Sequence, residues 1–447
     1  MTADNDANHV PRIDLRPRAA GAKQLTFDEV SVSAPQPSLS DWSNHILMTF
    51  SHSKKRPYHR WYPYVEGFSS DYLKNIFFRE RSVGNVFDPF AGCGTTLLEA
   101  STLGIPSFYS EVNPFMSFVT QTKINGSIAL KENWSQSRQA LLRYLSLLDS
   151  DVFSEFALKV SLREYEAAFP KRDYFVTRDL KELLAARDLA ATRFSDSPPV
   201  RDLILLALAS VTVACSNMTR RADLRRRRPG EYKTRVVDVP KSVHTKLTEM
   251  ISDLDDAQPP SARTTCVSQN ALAIPTEYTG SFEMAITSPP YLNGTNYLRN
   301  TKLELWLLGY ISAERDLRPL REATVPSGIT EVMRSTGLKH YDVVEEIAVE
   351  LDKNAYDDRI PRLVRSYFDR MFEALQQTFL CLKPGAKFIV DIGDSKFCGI
   401  HIPTDTIIVE LAKQARFDAV STRVLAKRYS LDKTPLKQVE VVLQKSQ

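Results

Sequence analysis

The sequence predicts an α/β fold, a mostly parallel sheet with helices on both faces and split by a helical insertion, and three observations carry that prediction. First, "GNVFDPFAGCGTTLLEASTLGIPSFYSEVNPF" holds a short apolar run ending at Asp88, a loop with two glycines, a helical stretch from Thr95 to Leu103 and a second apolar run ending at Glu111. That is a β-α-β unit, the start of a parallel sheet. Second, residues 131–257 place apolar side chains at i, i+3 and i+4, as in "SQSRQALLRYLSLL" and "VRDLILLALASVTVA", and so read as helices. Third, strand patterns return beyond them in "FEMAIT" (282–287), "LKPGAKFIVDIGDS" (382–395) and "QVEVVLQ" (438–444).

In chain order this gives a polar, extended arm over residues 1–45, a first part of the sheet domain over 46–126, a helical insertion over 127–261 and the second part over 262–447. A less regular stretch, 311–360, forms a smaller insertion within the last. The chain of 447 residues is 43% hydrophobic and 10% aromatic, enough for a sizeable core. Its first residues lack an apolar targeting segment, and no later apolar run approaches the ~18 residues of a membrane span. The expectation is a soluble, cytoplasmic protein. Five dispersed cysteines without a C-x-x-C pair argue against a disulfide framework and against a zinc site, so no metal is expected.

Net charge is only +4, but its distribution is uneven. Residues 216–241, "SNMTRRADLRRRRPGEYKTRVVDVPK", hold nine Lys or Arg against three Asp or Glu, so the rest of the chain is slightly acidic. A run of this kind is ordinarily a solvated loop. Inside an enzyme acting on nucleic acid it would contact phosphates, and the candidates are Arg220, Arg221, Arg225, Arg226, Arg227, Arg228, Lys233 and Arg235. Such contacts position a protein without reading sequence.

The loop after the first strand, Asp88, Pro89, Phe90, Ala91, Gly92, Cys93, Gly94, Thr95 and Thr96, suits a small-molecule cofactor. Its glycines permit tight turning and close approach, and the helix that follows offers free N–H groups. A phosphate-binding P-loop would need Gly-Lys-Ser/Thr, and a dinucleotide fingerprint a third glycine where Leu97 stands. Glu111, at the end of the next strand, is placed to accept hydrogen bonds from ribose hydroxyls. A nucleoside without a pyrophosphate fits better, although a G-x-G turn alone is also compatible with a purely structural turn.

The apolar run at 282–287 stops in Ser288-Pro289-Pro290-Tyr291. Two prolines fix φ and remove N–H donors, which leaves backbone carbonyls rigidly available. An exocyclic amine of cytosine or adenine is a poor nucleophile because its lone pair is delocalised. Ser288 and the Pro289 carbonyl, aimed at the two amino hydrogens, would localise that pair. Tyr291 offers a face for a base drawn out of the duplex.

With these residues in view, the chain resembles the amino-type DNA methyltransferases. F-x-G-x-G at Phe90–Gly94 with Glu111 is similar to the S-adenosylmethionine loop of class I methyltransferases, and the Thr-Ser-Pro-Pro-Tyr form resembles the N4-cytosine branch. The order of cofactor loop, long insertion and catalytic turn matches the family's alpha arrangement. "YHRWYPYVEGF" (58–68) resembles the motif whose residues hold the methionine end of the cofactor, a role carried to Tyr62, Tyr64 and Phe68. "IGDS" (392–395) and "FCGIHIPTD" (397–405) are similar to motifs that wall the base pocket. The resemblance spans about residues 46–126 and 262–445 and implies a seven-stranded class I methyltransferase fold, S-adenosyl-L-methionine as cofactor and double-stranded DNA as partner. A cognate restriction endonuclease is a possible companion. One departure concerns Asn270, which stands where the family often has an Asp for the adenine amino group; its carbonyl oxygen is the available acceptor.

Several residues have plainer readings. Asn293, Asn296 and Tyr297 either line a pocket or shape the turn. Trp306 reads as packing, His59 as structural, and Cys93 as a small filler without a neighbouring base. The absence of a Pro-Cys dipeptide argues against methylation at cytosine C5. Rival functions are an N6-adenine DNA methyltransferase, an RNA guanine-N2 methyltransferase and a non-catalytic DNA-binding subunit.

Overall fold

A computed structural model describes residues 53–62, 69–81, 83–220, 223–232, 237–292, 296–332, 338–429 and 433–446. The N-terminal arm expected over 1–45, and Tyr64, Phe68, Arg221, Lys233, Arg235 and Asn293, lie outside them. The architecture is a seven-stranded sheet built from β1 (Val86–Asp88), β2 (Ser107–Ser110), β3 (Thr264–Ser268), β4 (Phe282–Thr287), β5 (Leu382–Gly393), β6 (Phe417–Tyr429) and β7 (Pro435–Lys445). Their order across the sheet is β6-β7-β5-β4-β1-β2-β3. β3 to β5 run parallel through β2, β1 and β4, and only β7 is antiparallel to its neighbours β5 and β6. A seven-stranded sheet whose last strand inserts antiparallel between the fifth and sixth is the class I methyltransferase fold that the sequence led us to expect.

Alternation along the strands gives the sheet two apolar faces. Val86, Met284 and Ile286 point to one side, where α1 (Ser70–Glu80) lays Tyr72, Leu73, Ile76 and Phe77 upon them. Phe87 and Ala285 point to the other. There Phe87 and Phe282 stack with centroids 4.7 Å apart, and the apolar stripe of a 23-residue helix, Arg359–Cys381, covers them with Leu363, Val364, Tyr367 and Met371. The fully buried side chains of both faces, at ~25 cal/mol per Å² of apolar surface, are the main source of stability.

Order reverses at the switch between β1 and β4. β1 leads through α2 (Thr95–Thr102) to β2 on one side, while β4 pairs with β1 on the other. Ligands in such sheets bind beyond the carboxyl ends at that crevice, and both loops singled out above end there. Helices fill the stretch between β2 and β3, from Pro114–Gln121 to Val239–Asp256.

Three features differ from what the sequence suggested. The basic segment at 216–228 is a two-stranded hairpin, Met218–Arg220 with Leu224–Arg226, within otherwise helical chain. β6 escaped notice because most of its side chains are exposed, so it carries no continuous apolar run. Pro384 and Gly385 lie inside β5 rather than before it: Phe282 pairs with Leu382 but Met284 with Lys387, so the Pro-Gly turn bulges out, with Gly385 at φ +77°.

Candidate active site

The loop after β1 is held by its own strand. Asp88 closes β1, and its Oδ1 accepts from the Phe90 N–H at 3.0 Å and from the Thr287 hydroxyl at 2.7 Å. One buried carboxylate thus ties the start of the glycine loop to the end of β4. Burial pushes the Asp88 carboxyl up to about 6, opposed by those donors. Gly94 sits at φ +79° immediately before α2, and a Cβ there would lie 2.6 Å from Thr120 Oγ1. Thr120 in turn donates to the Gly92 carbonyl at 3.3 Å. The turn therefore requires glycine on both conformational and steric grounds.

Glu111 follows β2. Its Oε2 accepts from the Gly92 N–H at 2.7 Å and its Oε1 from the Asn113 N–H at 2.8 Å. Burial pushes the carboxyl up to about 7, with the two N–H groups working the other way. The Val112 N–H also favours the ionised form.

These pieces enclose a cavity whose envelope, including solvent at its mouth, is about 960 Å³. It is lined by Asp88–Cys93, Thr95 and Thr96, by Glu111 to Asn113, and by Ser288, Pro289 and Pro290. The structure thus brings the glycine loop, Glu111 and the proline turn to one space. Ala323, Thr324 and Val325 of the second insertion also line it, which the sequence gave no reason to expect.

The proline turn is fastened from behind. Tyr367 donates its hydroxyl to the Pro290 carbonyl at 2.9 Å. Ser288 Oγ donates to the Tyr291 hydroxyl at 3.4 Å, and Gln438 Nε2 reaches the same oxygen at 3.3 Å while donating to both Asp391 oxygens at 2.9 Å. No donor among the described residues takes the carbonyl of Pro289, a residue that lines the cavity. Tyr291 does not itself line the cavity; Tyr297 does, and its hydroxyl accepts from the Tyr291 N–H at 3.3 Å. Asn296 shapes the turn, accepting from the Arg299 N–H at 2.7 Å.

Other candidates fall elsewhere. Asn270 Oδ1 accepts from the Leu272 N–H at 2.9 Å, a local turn, and it is Ala271 and Leu272 that reach the cavity. Tyr62 is buried, with its hydroxyl donating to Glu304 at 3.0 Å and its ring edge-on to Phe115. Arg220 is not on a free surface: it pairs with Glu304 at 2.5 Å, donates to the Tyr62 hydroxyl at 2.9 Å, and lies over that ring. Burial works against its charge, but Glu304 and Tyr62 more than offset this and hold it above the ordinary arginine range. Arg225 forms a fork with Glu231, both contacts 2.9 Å, and Arg226 one with Asp173. The Arg227 side chain is half-buried and Arg228 is exposed.

His59 is buried against Glu99 of α2 at 2.8 Å, and burial holds its pKa below the usual histidine value. Trp306 packs edge-on against Tyr165 and Phe169. Cys93 is buried beside the Thr95 hydroxyl at 3.6 Å. Among the described residues no group of three His, Cys, Asp or Glu could hold a metal, and no helix is long and apolar enough to cross a membrane.

Tyr367, Gln438 and Asp391 were missed from the sequence. Tyr367 sits on the apolar stripe of its helix and reads as core. Gln438 and Asp391 are buried polar residues within apolar strand runs, and that irregularity was the available signal.

No protein-family model matches the chain. Two solved structures share about a tenth of its residues. A SAM-dependent methyltransferase from Methanosarcina mazei is 9% identical with a TM-score of 0.30, covering 83% of this chain and 97% of that one. The rRNA methyltransferase aviRa from Streptomyces viridochromogenes is 9% identical with a TM-score of 0.28, covering 89% and 96%. The fold assignment rests on the strand order and not on these. In sequence, the chain is 24% identical over 443 residues to the Type II methyltransferase M.BsoBI of Geobacillus stearothermophilus, spanning 86% of this chain and 83% of that protein. It is 23% identical over 414 residues to the Type II methyltransferase M.AvaI of a Nostoc species, spanning 85% and 83%. The chain is thus similar, over most of its length, to proteins named Type II methyltransferases, and it has the class I methyltransferase sheet.

Proposed function

We propose that this protein is a site-specific DNA methyltransferase that transfers a methyl group from S-adenosyl-L-methionine to N4 of a cytosine flipped out of double-stranded DNA. The observation that carries the reading is that Ser288, Pro289 and Pro290 line one cavity with the glycine loop and Glu111. Similarity over most of the chain to two Type II methyltransferases supports it.

The residues fit the cofactor. Glu111 offers its carboxylate to a ribose diol, and a diol donating to it would favour the ionised form that burial disfavours. Gly92 and Gly94 let the backbone approach closely, and Phe90 gives an apolar wall. S-Adenosylmethionine, when bound, supplies an electrophilic methyl group.

The protein's own part is to prepare the amine. Ser288 spends its O–H on Tyr291, which leaves its oxygen as an acceptor. That oxygen and the Pro289 carbonyl receive the two amino hydrogens and turn the nitrogen lone pair toward the methyl group. Gln438, anchored on Asp391, holds Tyr291, and Tyr367 holds Pro290, so neither acceptor has to reorganise when substrate arrives. Ala323 to Val325 and Tyr297 shield the cavity and offer apolar surface to the extruded base.

The test is transfer of labelled methyl to mixed-sequence duplex DNA, followed by digestion and mass identification of the nucleoside. N4-methylcytosine is the expected product. N6-methyladenine would keep the mechanism and move the target, since both amines present the same two hydrogens. Cofactor binding without any methylated nucleoside would overturn the reading.

A further inference from the structure

A second concavity is lined in part by residues next in sequence to those that line the first. Tyr297 and Leu298 line the cofactor cavity, whereas the next residue, Arg299, lines the second. Ala323 to Val325 line the first, and Arg321 the second. This groove has an envelope of about 1410 Å³, open solvent included.

Its lining is basic and comes from three separate parts of the chain. Lys171 and Arg172 belong to the helical insertion, Arg299 follows the proline turn, and Arg315 and Arg321 belong to the second insertion. The two acidic residues on the wall are already engaged. Asp173 holds Arg226, and Glu314 accepts from Lys302 at 2.6 Å and Tyr174 at 3.3 Å. Among the described residues no carboxylate forms an ion pair with Lys171, Arg172, Arg299 or Arg321, and Arg315 meets only Asp316, at 3.9 Å. Lys171, Arg172, Arg299 and Arg315 are exposed. Cations gathered in a concavity, with low-dielectric walls, focus their field more than the same charges on a convex face.

We infer that this groove binds the sugar-phosphate backbone of the nucleic acid strand whose base enters the neighbouring cavity, with Lys171, Arg172, Arg299 and Arg315 on phosphate oxygens. The inference rests on the DNA reading above and adds to it where the flanking strand lies. Cations spread along an open groove from three segments match a chain of phosphates; a single phosphate is held by converging backbone N–H groups, as in a nest. The groove also relocates the phosphate contact. Arg225 and Arg226, central in the basic run, lie on the same wall but are neutralised by Glu231 and Asp173.

The experiment is fluorescence anisotropy of a labelled mixed-sequence duplex bound to the full chain across a series of NaCl concentrations. It compares wild type with Lys171→Ala/Arg172→Ala, with Arg315→Ala, and with Lys353→Ala/Lys413→Ala, which lies outside the groove. Each lost phosphate contact lowers the slope of log K against log salt by about 0.9, so a loss of about 1.8 is expected for the first variant and about 0.9 for the second. Cofactor affinity and melting temperature are expected to stay at wild-type values, and the outside variant to keep the full slope. Unchanged slopes in the groove variants, or an equal fall in the outside variant, would overturn the inference. A wild type that binds cofactor but no nucleic acid overturns both readings. Loss of slope seen on RNA but no binding to DNA would keep the groove and remove DNA as the substrate.

Discussion

The hydroxyl of Tyr367 donates to the carbonyl of Pro290 at 2.9 Å, from the buried face of the helix Arg359–Cys381. Tyr367 is fully buried, so that bond is its hydroxyl's reason for being there. Tyr367 thus fastens the turn at Pro290, next to Pro289, whose carbonyl does not compete for that donor.

Tyr367→Phe is accordingly expected to lower kcat on the order of tenfold by loosening the turn, with about 1 kcal/mol lost in stability. Cofactor affinity should not move. Steady-state kinetics well below the melting temperature, with calorimetry of cofactor binding, separate this from general unfolding. A variant with wild-type kcat would show that the bond is structural only.

The proline turn itself gives a sharper split. Ser288→Ala should abolish most methyl transfer and leave cofactor affinity intact, since Ser288 contributes an acceptor to the amine and nothing to the glycine loop. Tyr291→Ala should do the same, whereas Tyr291→Phe, which keeps the ring and loses the hydroxyl's contacts to Ser288 and Gln438, should retain part of the rate. Normal turnover in Ser288→Ala or Tyr291→Ala would refute the assignment of the turn.

Glu111 predicts a pH dependence. Its folded pKa, pushed up to about 7 by burial, lies above that of the unfolded chain, at about 4.3. The folded state therefore binds more protons between those values, and its stability without cofactor falls as pH rises through that window. Cofactor binding runs the other way. A diol donates to the carboxylate, so affinity should strengthen as pH rises from 6 to 8, and Glu111→Gln should bind more weakly with a flattened profile. Calorimetric titrations at the two pH values check it; an identical pH dependence in Glu111→Gln would exclude Glu111 as the group responsible.

How much of this could be read from residues alone divides along physical lines. The β-α-β unit around Gly92 and Gly94 was legible because glycine at positive φ and an apolar strand leave local marks, while the seven-stranded class I sheet was implied by the resemblance of that loop and the proline turn to a known family. The meeting of that loop with Ser288 and Pro289 was foreseeable through chain order, since both end strands that are neighbours at a switch point. What could not be read were partners made by tertiary packing. Glu231 and Asp173 neutralise Arg225 and Arg226, one through a local turn and the other from 53 residues earlier. Gln438 meets Tyr291 across 147 positions. The basic groove is likewise assembled from separate segments, and its cations without a carboxylate partner, Lys171, Arg172, Arg299 and Arg321, lie outside the basic run.

Arg220 puts the same point to a test. In sequence it heads the basic cluster, yet in the fold its guanidinium is locked between Glu304, whose side chain is 1% exposed, and the Tyr62 hydroxyl. Removing it would strand a buried carboxylate, a loss of about 3–5 kcal/mol in comparable cases. Arg220→Met should therefore lower the melting temperature strongly and leave the salt dependence of DNA binding unchanged at temperatures where it stays folded. Adding Glu304→Gln should recover part of the stability, because the unpaired charge is then gone and the two sites are coupled. A single variant with wild-type melting but a shallower salt slope would return Arg220 to the phosphate-binding surface.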